Sequence, residues 1–252
     1  MKLGFILTVS IFLFAPSGFA QSANDSVTVQ GIVSDFEGNP VDSCSVMWKN
    51  SSFGNVVEVL TDSLGHYSAR VPKGKYRSMA AVRMDRYPHT ASKAVSDKEQ
   101  RLEFWAWDFI ADRDTVVDIR YHRLEAYGLH AFEIVGGAPT YQIYVRPMSL
   151  TRFQKISRGE QAQTGGMLLA PSPARLNVDV WIDGEKVGVI AKQEIREYLS
   201  TENYINACLL TVSRPKQPGH SPYRIFRVEL EDLDTGDRGE GLYYMEKESY
   251  SE

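Results

Sequence analysis

Four side chains carry the strongest binding chemistry in this sequence: Trp105 and Trp107 in "RLEFWAWDFI", and Tyr144 and Arg146 in "TYQIYVRPMSL". In an extended strand, residues two apart share a face. Trp105 therefore sits beside Trp107, with Phe104 on the opposite side. Flat rings in a row on a β surface can stack on the apolar C–H faces of sugars while an arginine hydrogen-bonds the hydroxyls. A protein interface uses the same residue types, because Trp, Tyr and Arg concentrate at interaction hot spots. The competing reading is structural: aromatics of this size fill the core between sheets, and a domain of this size needs them there. Trp105, Trp107, Tyr144 and Arg146 are thus the ligand-binding candidates, with core burial the stronger reading for the tryptophans.

Other reactive residue types do not assemble into a motif. His66, His89, His122, His130 and His220 lie outside metal spacing of another His, a Cys or a paired carboxylate. There is no G-x-S-x-G elbow and no S-x-x-K signature, and Gly136-Gly137 in "FEIVGGAPTY" reads as a turn between strands. The acidic run from Glu229 to Glu240 lacks the spacing of a calcium loop and reads as a solvated strand face and turn. Cys44 and Cys208 each fall in an apolar, strand-like run, which favours two buried thiols over a disulfide joining the halves. The expectation is no catalytic residue, no metal ligand, no cofactor, and no enzyme activity.

The chain opens with Lys2, an apolar run from Leu3 to Phe14 and a small-x-small signal at Gly18-Phe19-Ala20. This is the pattern of a secretory signal peptide over residues 1–20. No stretch reaches the roughly 20 apolar residues a spanning helix needs, so no integral membrane span is expected after cleavage. Without Lys2, 27 basic residues face 32 acidic ones, a net charge of −5. Mild acidity with mixed signs gives no footprint for nucleic acid or an anionic membrane.

The elements that must position these residues read as strands. "VTVQGIVSD" and "VDSCSVMWK" alternate, the latter with Cys44, Val46 and Trp48 on one face. Gly38 and Pro40 mark the turn between them. Gly65 marks the next, Pro72 ends the strand bearing Tyr67, Ala69 and Val71, and Gly74 turns the chain again. In the second half, Asp183-Gly184 in "WIDGEKV" is a two-residue hairpin turn. "AKQEIREYLS" at 191–200 reads as the one short helix, and residues from Asp85 to Gln100 read as a long polar loop.

The order "QGIVSDFEGNPV", "TDSLGHY" and "VPKGKY" resembles the carboxypeptidase regulatory-like domain, a transthyretin-like β-sandwich, over about residues 27–85. That resemblance implies seven strands in two sheets, no catalytic residues, and an accessory role. The organisation expected is a signal peptide at 1–20, this sandwich at 21–125 and a second β-rich, sandwich-like domain at 126–252. The function expected is an exported, non-catalytic structural or adhesive module, secreted, periplasmic or at the cell surface. Its partner is a protein or, as the alternative, a cell-surface glycan.

Overall fold

The computed structural model describes residues 25–160, 166–201, 203–217, 219 and 221–247; the expected signal peptide and His220 lie outside them. In chain order the strands are β1 (Ser26–Ser34), β2 (Ser45–Lys49), β3 (Asn55–Leu60), β4 (His66–Pro72), β5 (Gly74–Lys75), β6 (Ser78–Val82) and β7 (Phe104–Trp107). Then come β8 (Ile110–Ala111), β9 (Thr115–Val116), β10 (Ile119–Arg120), β11 (Leu124–Phe132) and β12 (Thr140–Ser149). Helix α1 (Leu150–Ser157) follows, then β13 (Gly166–Met167), β14 (Leu176–Ile182), β15 (Glu185–Val187), β16 (Val189–Tyr198), β17 (Tyr204–Ser213), β18 (Tyr223–Asp232) and β19 (Arg238–Glu246).

The protein is all-β and builds two β-sandwiches in three layers. The middle layer is an eight-stranded sheet, β15-β14-β18-β19-β7-β6-β2-β3. A four-stranded sheet of β10, β1, β4 and β9 covers one face, and a five-stranded sheet of β11, β12, β17, β13 and β16 covers the other. Being covered on both sides explains the middle strands' sequences: apart from Ser78, "SMAAV" and "FWAW" are apolar on both faces, and both are buried throughout. Alternation then divides β7 between two cores. Phe104 and Ala106 join Val29, Tyr67 and Trp48; Trp105 and Trp107 join Ile143, Leu210 and Phe226.

The two halves of the chain meet in that middle sheet, where β19 pairs in parallel with β7 (Leu242 opposite Ala106). The boundary expected at residue 125 falls inside β11, whose first residue is Leu124.

The turns of the N-terminal half follow the sequence signals. Asp35 Oδ1 accepts from the backbone N–H groups of Glu37 and Asn39 at 3.0 and 2.8 Å, closing the turn at Gly38. Asp62 Oδ1 does the same for Leu64 and His66, both at 2.9 Å. Gly31 answers to a different need: a Cβ there would lie 2.1 Å from the Val117 carbonyl oxygen, where the β9–β10 segment runs parallel beside β1. Asp183 (φ 53°) and Gly184 (φ 86°) make the expected hairpin between β14 and β15.

Two elements differ from expectation. Residues 191–198 are strand, not helix: β16 pairs along β17 from Val189 to Tyr198. Its Lys, Glu and Arg residues favour helix in isolation, but they suit a sheet edge, where charge blocks stray pairing. The helix lies instead at Leu150–Ser157, where Ser149 caps its start by accepting from Arg152 N at 3.2 Å. Cys44 and Cys208 are free and buried in different cores.

Candidate functional site

The four sequence candidates come together, around a residue the sequence did not single out. The Trp105 and Trp107 rings stack at 5.0 Å with 15° between planes. Tyr127 meets both edge-on, at 5.8 and 5.3 Å, and the Arg146 guanidinium lies 5.0 Å over the Tyr127 ring. Arg146 Nε donates to Glu197 Oε2 at 3.0 Å, and the Tyr144 hydroxyl donates to the same carboxylate. Tyr127 reaches this position through a β-bulge: the β11–β12 register shifts between Tyr127 and His130, around Gly128 at φ 63°.

The tryptophan end of this cluster is a buried wedge between sheets, whereas Tyr144, Arg146 and Glu197 lie half-buried on the face of β12 and β16 opposite the core residues Ile143 and Val145. Trp105 is 9% exposed and Trp107 5%, so neither offers a face to a sugar; the glycan platform on Trp105 and Trp107 is therefore corrected to core. The cause is the covering sheet: β11 lies over the face of β7 that bears them. Beneath the wedge, Trp105 Nε1 donates to Glu125 Oε1 at 2.7 Å. Burial, with the negative charge of Glu103 nearby, pushes the Glu125 carboxyl up to about 8.

The acidic run is internal only in part, Glu229 and Glu231 being half-buried and Asp234 exposed on the turn as expected. Asp232, Asp237 and Glu240 are buried. Asp237 accepts from Ser149 Oγ (2.6 Å), Thr151 N (2.9 Å) and Thr151 Oγ1 (2.8 Å), fixing the start of α1. Asp232 takes Arg152 Nε at 2.6 Å. Arg120 donates to Glu229 at 2.7 Å and to Glu240 at 2.8 Å, and its guanidinium lies 5.0 Å over Phe36, tying the N-terminal sheet to the middle one. Alternation predicted exposure because it cannot show arginines arriving from 80 to 120 residues away.

An open cleft of 850 Å³ lies where the β11–β12 loop overhangs the ends of β17, β18 and β19. Its aromatic wall is His130, whose ring meets Tyr243 edge-on at 4.9 Å and Phe132 at 6.1 Å. Opposite, Arg214 and Arg224 lie 5.5 and 5.9 Å over the Tyr141 ring. Arg77, at the floor, lies 5.5 Å over Trp107 and 3.5 Å from Asp108. Lys75 pairs with Glu246 at 2.5 Å, and Arg214 with Glu133. Arg224 pairs with Asp183 of the neighbouring hairpin at 2.7 Å. Along the rim, Phe132, Ile134 and Val135 stand in solvent, the last two 57% and 68% exposed.

This arrangement can bind: it joins rings, forked cations and exposed aliphatic groups on one surface. Among the described residues no three His, Cys, Asp or Glu side chains converge as a metal site would need. No helix among them is long and apolar enough to cross a membrane. The sequence offered little signal for the cleft, because Arg77, Asp108, Arg214 and Tyr243 come from four separate segments of the chain.

No protein-family model matches the chain, and no curated protein sequence matches it. In structure it is similar to a candidate carbohydrate binding protein from Bacteroides uniformis, at 9% identity over 88% of this chain and 99% of that one, with a TM-score of 0.28. It is similar to a DUF3823 family protein from Parabacteroides merdae, at 9% identity over 88% and 98%, TM-score 0.27. It is also similar to BcpA, the major pilin subunit of Bacillus cereus, at 12% identity over 88% and 68%, TM-score 0.25. Likenesses this remote carry no argument about function.

Proposed function

We propose that this chain is a non-catalytic structural or adhesive module, exported to the periplasm or cell surface, that binds a protein partner through the cleft and its rim. The observation that carries the reading is the rim: Phe132, Ile134 and Val135 stand exposed within four positions at the end of β11 and the loop after it, and Phe132 and Val135 line the cleft with Arg214, Arg224 and Tyr141. Contiguous exposed apolar groups flanked by aromatic and arginine side chains are the composition of a protein interface. A glycan would use open ring faces, and the tryptophan pair that could have supplied them is covered. The signal-like N-terminus and the N-terminal resemblance to accessory sandwiches support the exported, non-enzymatic part of the reading.

The test is binding of fluorescently labelled mature protein to envelopes of the producing cell, with and without prior protease treatment of those envelopes. Saturable binding that protease abolishes and the Ile134→Asp, Val135→Asp double variant loses is the expected result. Binding that survives protease and is competed by soluble polysaccharide would overturn it in favour of a glycan.

A further inference from the structure

A second open surface lies on the opposite outer layer. It is a groove of 720 Å³ on the solvent face of the four-stranded sheet, floored by Gln30, Ile32 and Ser68 and walled by Leu60 and Val116. Leu60 and Val116 are 65% and 63% exposed, and Leu64 stands exposed in the adjoining turn. The ionised groups lining it are Asp62 and Asp118, with His66 beside them and no lysine or arginine. Both carboxylates are held in place by the backbone: Asp118 Oδ1 accepts from Ile32 N at 3.0 Å, and Asp62 Oδ1 from Leu64 N at 2.9 Å.

The projecting loop at the rim of the cleft is the counterpart of this groove in shape, and the cleft beside it is opposite in charge. Its rim loop projects Ile134 and Val135 on a turn closed by Gly137 N donating to Ile134 O at 3.0 Å. Its lining carries Arg224 and Lys247 beyond the three pairs Arg77–Asp108, Lys75–Glu246 and Arg214–Glu133, an excess of two cations, one of them partnered from outside by Asp183. An aliphatic tip beside a cleft of net positive charge fits an aliphatic trough flanked by carboxylates. The loop belongs to the five-stranded sheet and the groove to the four-stranded sheet, with the eight-stranded sheet between them. A chain cannot fill its own groove with its own loop.

We infer that the protein partner is a second copy of this chain, whose β11–β12 loop seats Ile134 and Val135 against Ile32, Leu60 and Val116. This rests on the reading of the cleft rim as a protein-binding surface. Because the two patches differ, the contact is head-to-tail, and each added copy presents one free loop and one free groove. Association is therefore open-ended, and weakened by salt because opposite charges face each other across it.

Sedimentation velocity on the mature chain across a wide concentration range tests this with two variants altered only at exposed positions. The loop variant is Ile134→Asp, Val135→Asp; the groove variant is Leu60→Lys, Val116→Lys, with Ile32→Lys as a second groove variant should the first fold poorly. Wild type should grow in mass with concentration, and less so in high salt. Each variant alone should weaken association by about thirty-fold or more, the scale of a lost hot spot. An equimolar mixture of the two should stop at a dimer, since one supplies the only working groove and the other the only working loop. A monomeric wild type at every concentration, or a mixture that stays monomeric, overturns the inference. If that monomeric wild type still binds envelopes in a protease-sensitive way, the reading of the rim stands and only the identity of the partner falls; if it binds none, both fall.

Discussion

Replacing Glu125 by glutamine should stabilise this protein at neutral and alkaline pH and leave it nearly unchanged in acid. Glu125 is enclosed between the sheets and accepts from Trp105 Nε1 at 2.7 Å. Its carboxyl is pushed from 4.5 up to about 8, by burial first and by Glu103 second. The folded chain thus holds a proton that the unfolded chain releases. The stability this contributes is complete below pH 4.5 and is lost as pH rises toward 8. At ~1.4 kcal/mol per pH unit, the window from 4.5 to about 8 is worth about 5 kcal/mol. Glutamine keeps the acceptor for Trp105 and cannot ionise. Urea unfolding of wild type and Glu125→Gln, followed through that window, isolates the effect of Glu125 together with its coupling to Glu103, because the remaining titrating groups are common to both. The difference should grow with pH and flatten above about 8. A difference independent of pH would show that Glu125 ionises as an ordinary carboxylate and refute the argument.

Three further outcomes follow from the packing. Asp237→Asn should cost about 3 kcal/mol or more in urea unfolding, since it weakens a buried carboxylate that anchors Ser149, Thr151 and Arg123; an unchanged midpoint would contradict that. Gly31→Ala should cost roughly 2–4 kcal/mol, read as a lowered melting temperature, because its Cβ meets the Val117 carbonyl at 2.1 Å. Cys44 and Cys208, whose thiols burial pushes up to about 11, should resist a thiol reagent in the native state and react together on unfolding. Rapid labelling of either native thiol would count against the buried placement.

How far the sequence reveals this molecule varies along it. Local signals survive well: Asp35 and Asp62 close the turns their neighbours announce, and Asp183-Gly184 makes its hairpin. The faces of β7 also follow alternation, yet alternation could not show that both faces are covered, which is what removes Trp105 and Trp107 from the surface. At β16, helix propensity lost to pairing along β17, and the exposed charges that suggested a helix belong to a sheet edge. Buried charge was the least legible feature. Glu229 and Glu240 look solvated until Arg120 arrives from the first half of the chain. The cleft was hidden for the same reason: Arg77 and Tyr243 meet only once β19 pairs with β7.

The most direct measurement places a photo-cross-linking amino acid at Val135, on the cleft rim, and separately at Glu37, an exposed position of the N-terminal turn, in cells producing the protein. Irradiation should yield cross-linked protein from the rim position, a ladder of copies where the partner is this chain, and none from the control. Equal or absent cross-linking at the two positions would contradict the assignment of the cleft rim as the surface through which this protein works.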